Sequence, residues 1–503
     1  MIYRLISSDL NIPSQVLEEG KTLVLGRNRE CKIKDLKCPR NYATVQAEGS
    51  KVLVNFTKSD DCQRFKSGQT ITGPGFAFLV KIVNTDSQRN EDDETKSTDN
   101  TSDLTVQWTE DETKRIIVGK FRGGGQASPL IASFDFDYTL VVPKSGKTYP
   151  VDGSDWKLLD SRLPKFFSDY VEKGYRLVVV SNQGGIEKGK VNVNEVKKRF
   201  NDSIVALGQP CLVLIATHDD IFRKPRIGLW SYLSEELQPS VDIDFERSFY
   251  VGDAAGRKKS ALRKADHSCA DLLFAVNAKL NFMLPEQFMS CAAKGATMCN
   301  QSKSLLSQID CFKPSEERDN AEQFILREVA TGAKVTSLQT VLPTQLHCII
   351  FSGMSATGKS SFYRQHLKQL NYVYISRDEM NCAMSKCESL AEKTLSASQN
   401  VVIDNTSVDK TSRAKWIQVC KDRRAIPIIF HFKLPLKHIF HNNVYRKLTT
   451  AQSTVTSVLI YTQNKRFEEP TASEGATVFE VNFVPTFTSE EQRTLYYMYL
   501  TEK

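Results

Sequence analysis

Two aspartates open the chemical reading of this 503-residue sequence. Asp135 and Asp137 stand in IASFDFDYTL, at the end of an apolar run that reads as a strand. In an extended chain residues i and i+2 lie on one side. Both carboxylates, with Thr139 beyond them, therefore face one crevice. Open α/β sheets collect their chemistry at the carboxyl ends of strands, and two acids in one crevice suit nucleophilic and acid–base work. An acid-capped loop would read the same way, and D-x-D-x-T alone arises by chance in about one chain in ten of this length. Three more polar residues recur at strand ends or in the loops after them: Ser181 in YRLVVVSNQ, Lys224 in IFRKP and Asp253 in FYVGDAAGR.

A second constellation lies in HCIIFSGMSATGKSSF. Gly353 is followed by Met354, Ser355, Ala356 and Thr357, then by Gly358, Lys359, Ser360 and Ser361. Glycines at this spacing let backbone N–H groups turn inward around phosphate, and the helix that follows adds positive potential. Lys359 then reaches the β- and γ-phosphates and Ser360 can ligate Mg²⁺. Asp378 follows the strand YVYIS, where an acid can take a proton from an acceptor hydroxyl. Asp404 ends the strand NVVID, a place for a metal-directed acid. Arg413 in TSRAKW and Arg446 in HNNVYRK are placed to clamp a transferring phosphate, although Arg446 reads equally well as a helix surface charge. With no long insertion for a motor or a switch, the economical reading is a compact P-loop kinase using ATP.

These residues need strands that end in the right place. From about Arg115, apolar strands alternate with helical stretches such as LPKFFSDYVEKG and NEVKKRFNDSIVALG, which predicts an α/β domain with a parallel sheet. HCIIFSG, NVVIDN and IPIIFHF repeat the pattern in a second α/β domain. Asp137 and Ser181 are 44 residues apart and Ser181 and Lys224 are 43 apart. Such gaps hold a crossover helix and little more, so no large cap covers the first site, and an open site suits the end of a polymer. The first 85 residues alternate apolar and polar types in short runs (KTLVLGR, KVLVNFT, GFAFLVKIV), which predicts a small all-β domain. The expected organisation is a β domain over 1–85, an acidic flexible linker over 86–110, an α/β domain over 111–300, a connecting segment over 301–344 and a second α/β domain over 345–503.

Composition bounds these readings. The chain is 40% hydrophobic and 25% charged, as folded proteins are. Its longest apolar runs are far short of the ~20 residues a membrane span needs. The opening MIYRLISSDL, with Asp9 in it, is not that of a secretory signal. Twelve cysteines without a C-x-x-C pair predict a reduced intracellular chain. The net charge is +8, yet Asp86–Asp103 carries seven acids against two bases, so the folded body is more basic than the total. That balance fits a nucleic-acid partner or simple solubility charge.

Nucleophile, hydroxyl, lysine and metal acid in this order resemble the haloacid dehalogenase phosphatase superfamily. The resemblance implies that Asp135 attacks phosphorus, that Asp137 protonates the leaving alcohol and then activates water, and that Ser181 and Lys224 hold phosphoryl oxygens. It also implies Mg²⁺ held by Asp135, Asp253 and the backbone carbonyl of Asp137. That superfamily usually has Gly where Tyr138 stands. A phosphatase of this kind followed by a P-loop kinase resembles the bifunctional polynucleotide phosphatase/kinase family. SGKTYPVDGSDW, SNQGGIEKGK, ATHDDIFRKP, VGDAAGR, SCADLLFAVN, SRDEM, VVIDNT and HNNVYRK look like its segments, in its order. The resemblance implies 3′-phosphatase and 5′-hydroxyl kinase activity on DNA ends, with Asp378 as general base and Lys359 as charge stabiliser. The family's arginine at the position of Val444 is missing, while Arg446 remains. The first domain would be a forkhead-associated β-sandwich that binds phosphothreonine in repair scaffold proteins. Arg27 and Arg40 would hold that phosphate, with Pro39 and Tyr42 where the fold usually has serine and histidine. A monomer in the nucleus, with the mitochondrion as a further location, and no membrane partner completes the expectation. The basic stretch Gly256–Lys264 reads as a candidate import signal and equally as a contact for DNA backbone. RNA ends as substrate, or a phosphopeptide scaffold with decayed catalytic domains, are the alternatives.

Overall fold

The computed structural model describes residues 105–502 except 261–262, 296–299, 315–322 and 451–453, and in the first 100 residues it describes eight strands and Tyr42. Those strands are Ile2–Ser7 (β1), Gln15–Glu18 (β2), Thr22–Leu25 (β3), Ala43–Glu48 (β4), Lys51–Phe56 (β5), Cys62–Phe65 (β6), Thr70–Gly73 (β7) and Phe76–Val83 (β8). They form two antiparallel sheets, β2-β1-β8-β7 and β3-β4-β5-β6. Period-2 patterning decides which side faces in: Val45 pairs with Val54 across β4 and β5, and Ala43, Val45, Val52 and Val54 are all buried. The Tyr42 amide donates to the Leu25 carbonyl at 2.7 Å, and its ring meets Phe56 edge-on. Arg27 and Arg40 lie outside the described residues.

Residues 99–503 form a separate compact unit with two seven-stranded sheets. The first contains Gln107–Asp111 (β9), Ile116–Phe121 (β10), Ile131–Phe134 (β11), Arg176–Asn182 (β14), Cys211–Ala216 (β15), Phe249–Val251 (β16) and Asn281–Met283 (β17). A small hairpin, Val141–Val142 (β12) with Lys157–Leu158 (β13), stands apart from it. The sheet order is β17-β16-β11-β14-β15-β10-β9. The five strands from β17 to β15 are parallel, and β10 and β9 close the edge antiparallel. β14 shows why: RLVVVS is buried throughout, as a strand covered on both faces must be. Leu177 and Val179 enter one core with Phe134, Phe167, Phe200 and Phe288, while Val178 and Val180 enter the other with Trp230 and Phe274. From β11 the chain runs outward to β14 and β15, then returns to β16 on the other side of β11. The tip of β11 is thus a topological switch point. Between Asp137 and Ser181 lie only the hairpin and the helix Leu163–Glu172, matching the expectation of no cap.

The second sheet contains Leu326–Glu328 (β18), Lys334–Val335 (β19), His347–Ser352 (β20), Val373–Ile375 (β21), Val401–Ile403 (β22), Ile426–Phe432 (β23) and Thr477–Val481 (β24), in the order β19-β18-β24-β23-β20-β22-β21. β20 is central and parallel to both β22 and β23. The helices Met384–Ser396 and Lys410–Asp422 cover one face through Cys387, Leu395, Trp416 and Ile417. Phe362 and Leu367 cover the other.

Two expected boundaries shift. β9 begins at Gln107, inside the range read as linker, because Val106 and the strand after it find a hydrophobic edge on β10. β18 and β19 fall in the range read as a connecting segment and extend the second sheet, with Leu326 fully buried opposite Val481.

Nothing in the sequence pattern predicts the path of the chain end. After the helix Glu490–Tyr496, the last described residues run back across the first α/β domain. Asn277 exchanges two hydrogen bonds with the Tyr499 backbone, at 2.8 and 2.9 Å. The Glu502 carbonyl accepts from the Cys269 amide, and its carboxylate pairs with Arg223 at 3.0 Å. Lys447 adds an ion pair to Asp219, which also holds Arg226. Burial raises the Asp219 carboxyl, but the two cations prevail and bring it down to about 2.

Two candidate active sites

At the tip of β11, Asp135 is buried and receives Lys224 Nζ at 2.6 Å. Lys224 also donates to Tyr250 Oη at 2.6 Å, Asp271 Oδ1 at 2.8 Å and the Val180 carbonyl at 2.8 Å. Carboxylate oxygens of Asp135, Asp253 and Asp271 lie within 4.8 Å of one another. Three carboxylates facing one ammonium cannot all ionise cheaply. Burial raises Asp135 to about 7 against the pull of Lys224, with Asp271 adding to the rise. Burial, then the facing Asp271 and Asp135, push Asp253 up to about 9. Such a cluster favours a cation, and its hard oxygen donors fit a divalent metal.

Asp137 is not one of that trio. Its carboxylate is held by Arg199 from the helix Val193–Leu207 and accepts from Gln183 Nε2 at 2.9 Å. Gln183 also donates to Ser181 Oγ at 3.1 Å, which ties the expected phosphoryl-binding hydroxyl to the expected proton carrier. Tyr138 has φ 59°, the left-handed region that glycine enters freely. Its hydroxyl donates to the Thr148 carbonyl at 2.7 Å, which holds the turn without glycine.

Asp271 and Arg199 are functional residues that sequence reasoning missed. Both sit on helices rather than at the ends of strands. A signal for Asp271 exists in Gly252: a Cβ there would stand 2.5 Å from the Asp271 side chain, so Val-Gly-Asp leaves room for another acid. Arg199 lies on the buried stripe of its helix with Val196, Phe200 and Ser203. A charge on that face needs a partner. The guanidinium also sits over the rings of Phe136 and Phe200. Arg199→Met should lower turnover at this site by about 10–100-fold with KM little changed, because a proton carrier misplaced by ~1 Å costs about that much. Steady-state kinetics beside a thermal melt would check this, since a purely structural role would lower the melting temperature instead.

The P-loop site follows β20. Gly353 approaches β23 so closely that a Cβ would stand 2.6 Å from the Phe432 carbonyl oxygen. Gly358 takes φ 91°. Between them, Asn442 donates to the Ala356 carbonyl at 3.1 Å, and Gln463 is paired with Ser355 through two bonds of 2.9 and 3.0 Å. Thr357 Oγ1 donates to the Met354 carbonyl. Lys359 is buried, its Nζ donating to the Gly353 and Met354 carbonyls at 3.0 and 2.7 Å, and burial lowers its pKa. Ser360 Oγ donates to Asp404 Oδ2. Lys359, Ser360, Ser361, Asp378, Asp404 and Arg446 line one cavity of about 1520 Å³. Arg413 does not join them. It is fully buried, paired in bidentate fashion with Glu474 at 2.7 and 2.8 Å, and fixes the loops at Ser407 and Glu468. An arginine that interdigitates with carbonyls in a core cannot clamp a phosphate. Within the basic stretch Gly256–Lys264, Arg257 and Arg263 converge on Asp266, and Arg257 also donates to the Asp253 carbonyl.

These sites define a protein that handles phosphoryl groups twice, in an aspartate-based phosphatase domain and a P-loop kinase domain, behind a forkhead-associated domain. A family model described as polynucleotide kinase 3 phosphatase matches residues 130–289. One described as an AAA domain matches 348–470, and one described as an FHA domain matches 4–58. The sequence is 28% identical over 401 residues to the bifunctional polynucleotide phosphatase/kinase of Schizosaccharomyces pombe, covering 78% of this chain and 89% of that protein. It is 32% identical over 202 residues to a polynucleotide 3′-phosphatase of Arabidopsis thaliana, covering 37% and 27%. It is 36% identical over 167 residues to an uncharacterized 20.8 kDa protein of Autographa californica nuclear polyhedrosis virus, covering 33% and 88%. The chain thus carries phosphatase, kinase and FHA domains and is similar over most of its length to a bifunctional polynucleotide phosphatase/kinase.

Proposed function

We propose that this protein heals broken DNA strands at both termini, removing 3′-phosphates and phosphorylating 5′-hydroxyls with ATP so that the ends can be ligated. The observation that carries the reading is the pairing, on one compact unit, of a buried aspartate crevice at β11 with a P-loop cavity at β20 that also holds an acid, Asp378.

In the phosphatase site an oxygen of Asp135 attacks phosphorus and the bond to the 3′-oxygen breaks. Asp137, oriented by Arg199 and Gln183, supplies the proton the leaving oxygen needs. Asp137 then takes a proton from water as that water attacks the aspartyl phosphate, and Asp135 is released. Lys224 and Ser181 steady the phosphoryl oxygens. In the kinase site Asp378 accepts the proton of the 5′-hydroxyl as its oxygen attacks the γ-phosphorus, while Lys359 and Arg446 stabilise the transferring charge. Mg²⁺, held by Asp135, Asp253 and Asp271 in one site and by Ser360 beside Asp404 in the other, would offset the charge of anionic phosphate.

The forkhead-associated domain would dock the enzyme on phosphothreonine in repair scaffolds, with Arg27 and Arg40 as its phosphate ligands. We place its work in the nucleus and, secondarily, the mitochondrion, as a monomer. Incubation of a nicked duplex bearing 3′-phosphate and 5′-hydroxyl with Mg²⁺ should remove the 3′-phosphate without ATP and add the 5′-phosphate only with it. Matched RNA ends should turn over more slowly. Equal or faster RNA turnover would assign the enzyme to RNA.

A further inference from the structure

Two thiols outside both mechanisms lie together at the wall of the kinase cavity. Cys382 Sγ is 3.5 Å from Cys387 Sγ. Cys382 sits in the turn between the helices Arg377–Met380 and Met384–Ser396, is partly exposed, and lines the cavity. Cys387 is fully buried in the core beside Ala391 and Leu395. Cys348 and Cys420 also touch, but they are 2% and 0% exposed, so solutes cannot reach them. Among the described residues, neither Cys382 nor Cys387 belongs to a cluster with metal-ligating geometry. The pair therefore joins one partly exposed cysteine and one sheltered partner, and Cys382 lines the same cavity as Asp378.

We propose that Cys382 and Cys387 are a peroxide-sensitive modification site whose disulfide bond slows the kinase and spares the phosphatase. The inference rests on the kinase reading of this cavity. The Cys382 sulfur attacks one peroxide oxygen, the O–O bond breaks, and the other oxygen leaves as water, giving a sulfenic acid on Cys382. The Cys387 sulfur then attacks the Cys382 sulfur, the S–O bond breaks, and the hydroxyl leaves with the Cys387 proton as another water. Two thiols are oxidised and one peroxide is reduced to two waters. Bond formation requires the sulfurs to close from 3.5 Å to about 2.05 Å. That movement pulls the turn at Cys382 towards the core. Asp378 lies four residues earlier on the adjoining short helix, and the turn is braced to it through Asn405, which meets Met384 Sδ on one side and the Arg377 amide on the other. A shift of about 1 Å in a reacting group can cost about 10²-fold in rate.

Full-length protein treated with hydrogen peroxide, quenched, and digested after thiol capping should yield a Cys382–Cys387 peptide lacking two hydrogens. Kinase activity should fall at least about tenfold relative to the untreated sample and return with dithiothreitol. Phosphatase activity in the same samples should stay level. In Cys387→Ala the ratio of treated to untreated kinase activity should remain near one. Absence of the lighter peptide at peroxide levels that oxidise Cys382 would overturn the proposal, as would its formation without loss of kinase activity. The peptide mass reads the pairing independently of turnover. A lack of kinase activity before treatment would instead count against the assignment of the cavity.

Discussion

Asp135→Asn should lower 3′-phosphatase turnover by a factor of about 10⁴ or more while 5′-kinase turnover stays within about twofold, because an amide oxygen cannot replace the carboxylate that bonds to phosphorus. The protein should fold normally. Asp135 is one of three acids crowded round Lys224, and its neutral replacement relieves repulsion from Asp253 and Asp271. Lys224 keeps Asp271, Tyr250 and the Val180 carbonyl. A thermal midpoint near the parent's, with phosphatase activity gone, is the combination that distinguishes a lost nucleophile from a lost fold. A rate within tenfold of the parent's would mean that another group attacks phosphorus.

The reciprocal change is Lys359→Met. Kinase turnover should fall about 10³-fold, the scale of losing a cation aimed at developing phosphoryl charge in a water-poor site. Phosphatase turnover should not move. Methionine keeps most of the buried volume, so the loop between Gly353 and Gly358 should survive. What goes is the ammonium that now donates to the Gly353 and Met354 carbonyls. Discontinuous assays of 5′-label transfer and phosphate release on one preparation check both variants. If both activities survive both changes, the assignment of the two crevices fails.

The legible part of each site is the part that follows a strand. Asp135, Ser181, Asp253, Asp404 and the Gly353–Ser360 loop all come directly after or at the end of short, mostly apolar runs that are buried along almost their whole length. Helical contributions are harder to see. Asp271 falls within SCADLLFAVN, where nothing local shows that its helix starts beside Gly252. Arg199 and Arg413 are opposite cases. By sequence Arg199 is one of many basic residues, yet it holds Asp137. Arg413 has the spacing of a phosphate clamp, yet it is consumed by Glu474. Their roles depend on which long-range partner reaches them, and spacing does not encode that. β18, β19 and the chain end escape for a related reason. Two- and three-residue strands carry no period, and a tail held through backbone groups and Asn277 leaves little trace in side-chain pattern.

That tail makes linear borders poor guides to modular ones. The amide of Cys269, the side chain of Asn277 and the guanidinium of Arg223, one residue from Lys224, are all satisfied by groups encoded more than two hundred residues later. Exchanging kinase halves between relatives would therefore also exchange the groups that close the phosphatase half. A chimera joined at the apparent midpoint inherits mismatched partners unless residues 496–502 travel with the domain they touch rather than the one they follow.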